Sequence, residues 1–281
     1  RNKVLEGNTK RFNSPIVYVN QVGAHNDLIF DGSSCVVNGK GEKVSTLDTF
    51  KEDVQYIHFK NGEITDTSED ETNPEAEEIK LIHDALVFGI KDYFKKMNFK
   101  TATLGSSGGI DSAVVQALAS TALGGDKVHP VLMPSKFSSS GSVKDAERLS
   151  KNLGNPHITI PIKNVYNSYV KSLEPHFEGK EFDTTEENLQ ARARGVILMA
   201  LSNKHGHILL NTSNKSEIAV GYSTLYGDMC GSLSPIGDVY KTKIYALAQY
   251  INRDQEIIPN EIINKALIFF FKQKTAYEIS T

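Results

Sequence analysis

From about residue 75 to residue 252 the chain alternates helical and strand-like runs, and this alternation limits its fold more than any other feature. "EAEEIKLIHDALVFGIKDYFKKM" sets Ile79, Ile82, Leu86, Ile90 and Phe94 three or four residues apart just after Pro74, the spacing of one helix face. "KTATLG" predicts a strand, "DSAVVQALASTAL" a helix ended by Gly124 and Gly125, and "KVHPVLMP" a second strand. Next come a helix over "SVKDAERLSKNLG" with Ser142 as N-cap, a strand in "HITIPI" and a helix in "NVYNSYVKSLEP". The long helix "TTEENLQARARGVILMALSNKHG", the strand "HILLNT" and a helix over "DVYKTKIYALAQYIN" complete the series. Strands alternating with helices of this length predict an α/β fold, a parallel sheet with helices on both faces.

The amino-terminal part has another rhythm. From Pro15 to Phe59 the short runs "PIVYVNQV", "LIFDGSSCVV" and "VQYIHF" predict strands separated by turns such as "NGKGEK", with no helix among them. "NGEITDTSEDETNPEAEE" is acidic, poor in large apolar residues and broken by Pro74, the composition of a solvated linker. The expected organisation is 1–60 β-rich, 61–74 linker, 75–267 α/β, and a tail 268–281 whose "IFFF" (Ile268 to Phe271) fits none of the preceding pattern.

A net charge of -3 with mixed signs gives no electrostatic reason to expect nucleic acid or a membrane as partner. No run reaches the ~18 apolar residues of a membrane span, and "RNKVLEGNTK" lacks the apolar centre of a signal peptide, so a cytoplasmic location is expected. Cys35 and Cys230 stand far apart without metal-ligand spacing.

The segment "LGSSGGIDS" joins a predicted strand to a predicted helix. Gly105, Gly108 and Gly109 let an anion approach the backbone, and Ser106, Ser107 and Ser112 add hydroxyls beside the positive end of the helix, whose first turn holds Ile110 and Asp111. A carboxylate there would repel a phosphate unless a divalent cation stood between them, and Mg²⁺ takes one or two carboxylates together with phosphate oxygens. Asp111 also suits a plain helix N-terminus, where acidic residues are favourable.

"SGGIDS" between strand and helix resembles the signature loop of the PP-loop ATP pyrophosphatases, whose fold is Rossmann-like, of the adenine nucleotide alpha hydrolase kind. "ENLQARARGVILMALSN", "LLNTSNKSEIAVGYSTLYGD" and "SPIGDVYKTKIYALAQYI" narrow the resemblance to the NAD synthetases, in particular the synthetase portion of the glutamine-dependent form, over about Pro74 to Asn252. That resemblance implies ATP-dependent amidation of deamido-NAD to NAD through an acyl-adenylate, with AMP and pyrophosphate released. Ammonia would come from glutamine in an intact enzyme, or be taken free by this chain.

Carried over residue by residue, the resemblance makes Gly105 to Ser112, Thr212 and Lys241 contacts for ATP. Asp111 and Glu217 become carboxylates near Mg²⁺, and Asn188, Arg192 and Glu217 contacts for deamido-NAD. Asp111 and Lys241 would be catalytic, with Lys243 a neighbour or substitute. Asn188 and Arg192 share a helix face at i,i+4, and Arg194 lies close by; a plain surface helix with solvated arginines is the alternative reading of that pattern. "YSTLYGDMCGSLSPIG" is too long for a passive connection and is expected in the substrate site.

"SPIVYVNQVGAHNDLIFDGSSCVV" resembles the closing strands of a nitrilase-like amidase domain, the source of ammonia in long synthetases. The nucleophile and its partners precede this stretch in that family, so Cys35 reads as a core residue, and His25, Asn26 and Asp27 as rim or loop residues. Arg1 in place of an initiator Met predicts a fragment, and "ALIFFFKQKTAYEIST", unlike the family's continuation, reads as a foreign or misread end. The resemblance implies a homodimer or higher oligomer. A relative of GMP synthetase and a non-catalytic nucleotide-binding module are the competing readings.

Overall fold

The structure, a computed structural model, describes residues 1–25, 27–60, 63–64, 74–135 and 138–265. Asn26, most of the expected linker and the tail 268–281 lie outside them. The chain forms two compact units, Arg1–Tyr93 and Phe94–Thr281.

The first unit begins with α1 (Asn2–Phe12), which ends at Asn13 in the left-handed conformation (φ 47°). β1 (Ile16–Tyr18), β2 (Val22–His25), β3 (Leu28–Asp31), β4 (Cys35–Val37) and β5 (Lys43–Thr46) follow. They form an antiparallel sheet of order β1-β4-β5 and the hairpin β2-β3. Leu5 of α1 packs on Cys35 and Val37, flanked by Ile16 and Tyr18, so Cys35, 3% exposed, is a core residue. α1 was not expected, because Leu5 is its one buried large apolar residue and a single position makes no stripe. The strand expected over "VQYIHF" shrinks to its last residue, Phe59, in β6 (Phe59–Lys60), which pairs with β7 (Glu63–Ile64). Val54 and Tyr56 are 82% and 85% exposed, and β propensity without a surface to cover makes no strand. α2 (Pro74–Lys96) packs largely with this unit: the Asp92 carboxylate accepts from the Ala24 amide at 2.7 Å, and Phe88 stacks on Phe50 with ring centroids 5.4 Å apart.

The second unit runs β8 (Ala102–Gly105), α3 (Ile110–Leu123), β9 (Val128–Leu132), α4 (Ser140–Asn152), β10 (Ile158–Thr159), α5 (Lys163–Leu173), α6 (Thr184–His205) and β11 (Ile208–Leu209), then α7 (Lys215–Ala219), α8 (Lys241–Ile251) and α9 (Asn260–Ile263). Its sheet is parallel throughout, in the order β10-β9-β8-β11, with Ala102 opposite both Val128 and Ile208. The chain steps outward from β8 to β10 and then returns to the far side of β8. Right-handed crossovers in opposite directions place helices on opposite faces. α3 is buried from Ser112 to Ser120 between the sheet and α8, while Ile197, Leu198 and Leu201 of α6 cover Val131, Met133 and Ile162. This is the expected α/β architecture.

Two helix starts move. The N-cap of α4 is Ser139, whose hydroxyl accepts from the Ser142 amide at 3.1 Å, so Ser142 lies in the first turn and not at the cap. α8 starts at Lys241, three residues later than expected. Asp238 and Val239 are held in a turn beside α7, where the Asp238 carboxylate accepts from Lys215 Nζ at 2.6 Å and the Val239 carbonyl from the Lys215 amide at 3.0 Å.

Candidate active site

A sheet whose strand order reverses beside β8 opens a crevice at the carboxyl ends of β8 and β11, the usual ligand position in open α/β folds. The loop Ser106–Gly109 fills one side of it. Gly108 takes φ +72°, and a Cβ there would stand 2.2 Å from the Ser142 carbonyl oxygen, so only glycine lets the loop lie against the start of α4. Ser107 and Ser112 share a hydroxyl contact at 3.0 Å, and Ser107 Oγ accepts from the Gly109 amide at 3.2 Å. Gly109 is the N-cap of α3, and the helix start carries no side-chain cap, an arrangement in which a helix N-terminus can receive an anion.

Next to the loop, Asp111 meets residues from two later segments. One carboxylate oxygen accepts from Asn214 Nδ2 at 3.0 Å and the other pairs with Lys241 Nζ. Asn214 is fully buried and caps α7 in a capping box, accepting from the Glu217 amide at 3.1 Å while Glu217 accepts from the Asn214 amide at 3.2 Å. Burial, then the charge of Asp111, push the Glu217 carboxyl above the usual carboxylate range. Two carboxylates, close enough for the charge of Asp111 to raise the proton affinity of Glu217, with Lys241 paired to Asp111, form a hard oxygen donor set with negative charge to spare. That chemistry fits Mg²⁺, which needs one or two carboxylates and not a closed cage; among the described residues no group of three or more His, Cys, Asp or Glu could hold a metal.

A cavity of about 610 Å³ lies at the same sheet edge. Gly105, Ser106 and Ser107 line it, with Thr212 from the end of β11, Arg194 of α6 and Asp228. The Asp111, Glu217 and Lys241 cluster adjoins the loop but is not part of the cavity wall, and neither are Gly108 to Ser112. Arg194 donates to the Met133 carbonyl at 3.3 Å, and burial lowers its pKa without discharging the guanidinium. Asn188 and Arg192 instead brace the segment after α7: Asn188 Oδ1 accepts from Thr224 Oγ1 at 2.8 Å and Arg192 donates to the Leu225 carbonyl at 3.2 Å. Lys243 follows Lys241 in the first turn of α8.

Sequence reasoning missed four residues here. Asn214 was legible as the start of an "NKSE" capping box. Asp228 is held by the Thr224 amide at 2.6 Å, and burial raises its pKa. Lys265 Nζ donates to the Gly108 carbonyl at 3.0 Å and pairs with Asp145 at 2.6 Å, so the carboxyl-terminal part of the chain does reach the loop. Gln116 lies beneath Ser106. No local pattern marks the last three.

The model of the family described as NAD synthase matches residues 82–267. The glutamine-dependent NAD(+) synthetase of Synechocystis is 46% identical over 267 residues, 94% of this chain and 48% of that protein. Among solved structures, glutamine-dependent NAD+ synthetase from Acinetobacter baumannii in complex with ADP superposes with a TM-score of 0.89 at 41% identity, covering 95% of this chain and 51% of that one. NH3-dependent NAD synthetase from Campylobacter jejuni, in complex with nitrate, gives 0.60 at 33% identity over 66% of this chain and 77% of that one. The chain thus spans about half the length of the curated relatives it matches. With the loop, the parallel sheet and these matches in agreement, the chain belongs to the NAD synthase family.

Proposed function

We propose that this chain carries the ATP-activating half of a glutamine-dependent NAD+ synthetase and converts deamido-NAD to NAD. The observation that carries the reading is the convergence of the Ser106–Gly109 loop with Asp111, Glu217 and Lys241 at the edge of a cavity large enough for a nucleotide. The nicotinate carboxylate of deamido-NAD attacks the α-phosphorus of ATP, the bond to the β-phosphate oxygen breaks, and pyrophosphate leaves. Ammonia then attacks the acyl carbon, AMP departs with the carbonyl–oxygen bond, and a proton is lost.

Each residue has a part in this reading. The amides at the start of α3 and Ser107 hold the β- and γ-phosphates, Thr212 meets ATP from the opposite wall, and Lys241 neutralises charge growing on the leaving pyrophosphate. Asp111 and Glu217 would hold Mg²⁺, which when bound screens the phosphate charge. Arg194, the arginine that lines the cavity, suits an anionic group of deamido-NAD; Asn188 and Arg192 shape the site through the segment they hold. Asp228, a carboxyl that lines the cavity, is suited to hold ammonium there. No nucleophilic side chain is needed, so positioning and charge neutralisation do the work.

In the same reading, residues 1–60 are the end of a nitrilase-like glutaminase domain, a reading supported by their antiparallel strands, and the protein is a cytoplasmic homodimer or larger. Among the described residues no helix is long and apolar enough to cross a membrane. The test is pyrophosphate release from MgATP with ammonium chloride. Release that requires deamido-NAD and yields NAD is expected; dependence on xanthosine monophosphate would favour the GMP synthetase relative, and ATP binding without release a non-catalytic module.

A further inference from the structure

Beneath the loop lies a polar network closed off from water. Gln116, in the second turn of α3, is 0% exposed in a stretch where Ala113, Val114, Val115, Ala117 and Leu118 are equally buried. Its Nε2 donates to Asn155 Oδ1 at 2.8 Å and to Ser150 Oγ at 3.0 Å, which occupies both amide hydrogens and leaves Oε1 to accept from Ser106 Oγ at 3.0 Å. The partners are fixed in turn: Asn155 Nδ2 donates to Ser120 Oγ at 3.0 Å and to the Gly125 carbonyl at 2.8 Å, and Ser150 Oγ to the Ala146 carbonyl at 2.9 Å. Among the described residues no buried side-chain nitrogen or oxygen lacks a partner.

An apolar side chain at position 116 would fill this core at lower desolvation cost. What the carboxamide adds is direction. Ser106 joins β8 to the loop, its amide donates to the Val131 carbonyl at 3.0 Å, and its hydroxyl turns inward to Gln116, away from any phosphate in the cavity. The entry to the loop is therefore held from the sheet and from α3. Its far side is held at Gly108 by the contact with Ser142 and by Lys265. A loop whose amides must converge on a phosphate gains affinity from being fixed beforehand.

We propose that Gln116 is a positioning residue: with Asn155 and Ser150 it fixes Ser106, and through Ser106 sets the loop in the conformation that receives the β- and γ-phosphates. Ser106 then serves the nucleotide indirectly, by fixing where the loop leaves the sheet, since its own amide is taken by the Val131 carbonyl. The inference rests on the ATP reading above, and its test separates the two.

Inorganic pyrophosphate and AMP are titrated into the full chain by calorimetry, well below its melting temperature, for the wild type, Gln116→Met and Ser106→Ala. AMP lacks the two phosphates the loop receives. One buried hydrogen bond corresponds to about tenfold in affinity. The expected result is pyrophosphate affinity weakened about tenfold in both variants, AMP affinity unchanged, and faster amide exchange at Ser107 to Gly109 with Val114 to Leu118 as protected as before. Unchanged pyrophosphate affinity and loop exchange, with only the melting temperature lowered, would make Gln116 a core residue and overturn the proposal. If Gln116→Met does not fold, Ser106→Ala, which cuts the same link from the loop end, decides alone. A wild type that binds no pyrophosphate would refute the ATP reading and the phosphate part of this inference, whereas variants equal to a binding wild type would refute this inference only.

Discussion

Asp111→Asn separates a structural from a catalytic role for the acidic cluster, because its two consequences differ in size. The Asp111 and Lys241 side chains are 19% and 18% exposed, so their ion pair is poorly screened. Asparagine keeps an oxygen for Asn214 Nδ2, now at 3.0 Å, and loses the pair with Lys241. A charge-assisted hydrogen bond of this kind contributes about 1.5–3 kcal/mol. Against that, Asp111 raises the proton affinity of Glu217, so its removal relieves a repulsion and leaves Lys241 a second carboxylate to face. The net cost comes to about 1–2 kcal/mol, a fall of roughly 2–8 °C in melting temperature for a unit of this size. Turnover should fall much further, on the order of 10²–10³-fold, because the carboxylate acts on charge that builds at the phosphates. Pyrophosphate release and thermal unfolding, measured on the same preparation, give both numbers. Turnover within tenfold of wild type, with stability down by more than about 4 kcal/mol, would show that Asp111 is there to hold the fold.

Gly108→Ala should abolish ATP binding while the sheet survives, since its Cβ would meet the Ser142 carbonyl oxygen at 2.2 Å at φ +72° and the loop must leave its place; a crystal structure or ATP titration of the variant checks this. His129 and His207 stack with centroids 4.3 Å apart at the amino-terminal edge of the sheet, facing His205, Asp126 and the Thr101 hydroxyl, and burial lowers both pKa values below the ordinary 6.5. Because the unfolded chain takes up protons first, stability should hold above about pH 6.5 and decline as pH falls below it, and the slope of melting temperature against pH should flatten in His129→Phe. An unchanged slope would remove the stack from the account.

How much the sequence reveals follows from how far each interaction reaches along the chain. Helical stripes, the glycine-rich turn and the caps are settled within a few residues, so the α/β series and the phosphate loop are legible from the order of residues alone. Misplaced ends have causes of a different kind: α8 starts late because Asp238 and Val239 are held by Lys215, more than twenty residues earlier. Exposed Val54 and Tyr56 show propensity failing where no surface awaits it.

The alternation of strand and helix, the loop "SSGG" and its acidic neighbour can be read from the order of residues, since each depends on contacts one or two turns away. Tertiary structure alone decided which groups share the site. Asp111 meets Asn214 across 103 residues and Lys241 across 130, and only the return of β11 to the far side of β8 brings them together. It also decided that Arg194 faces the cavity while Arg192 holds a loop, and that Gln116, hidden in an otherwise apolar helix, braces Ser106. A helix buried on every side carries no periodic signal of which residue points where, so those choices become visible only once the layers are packed.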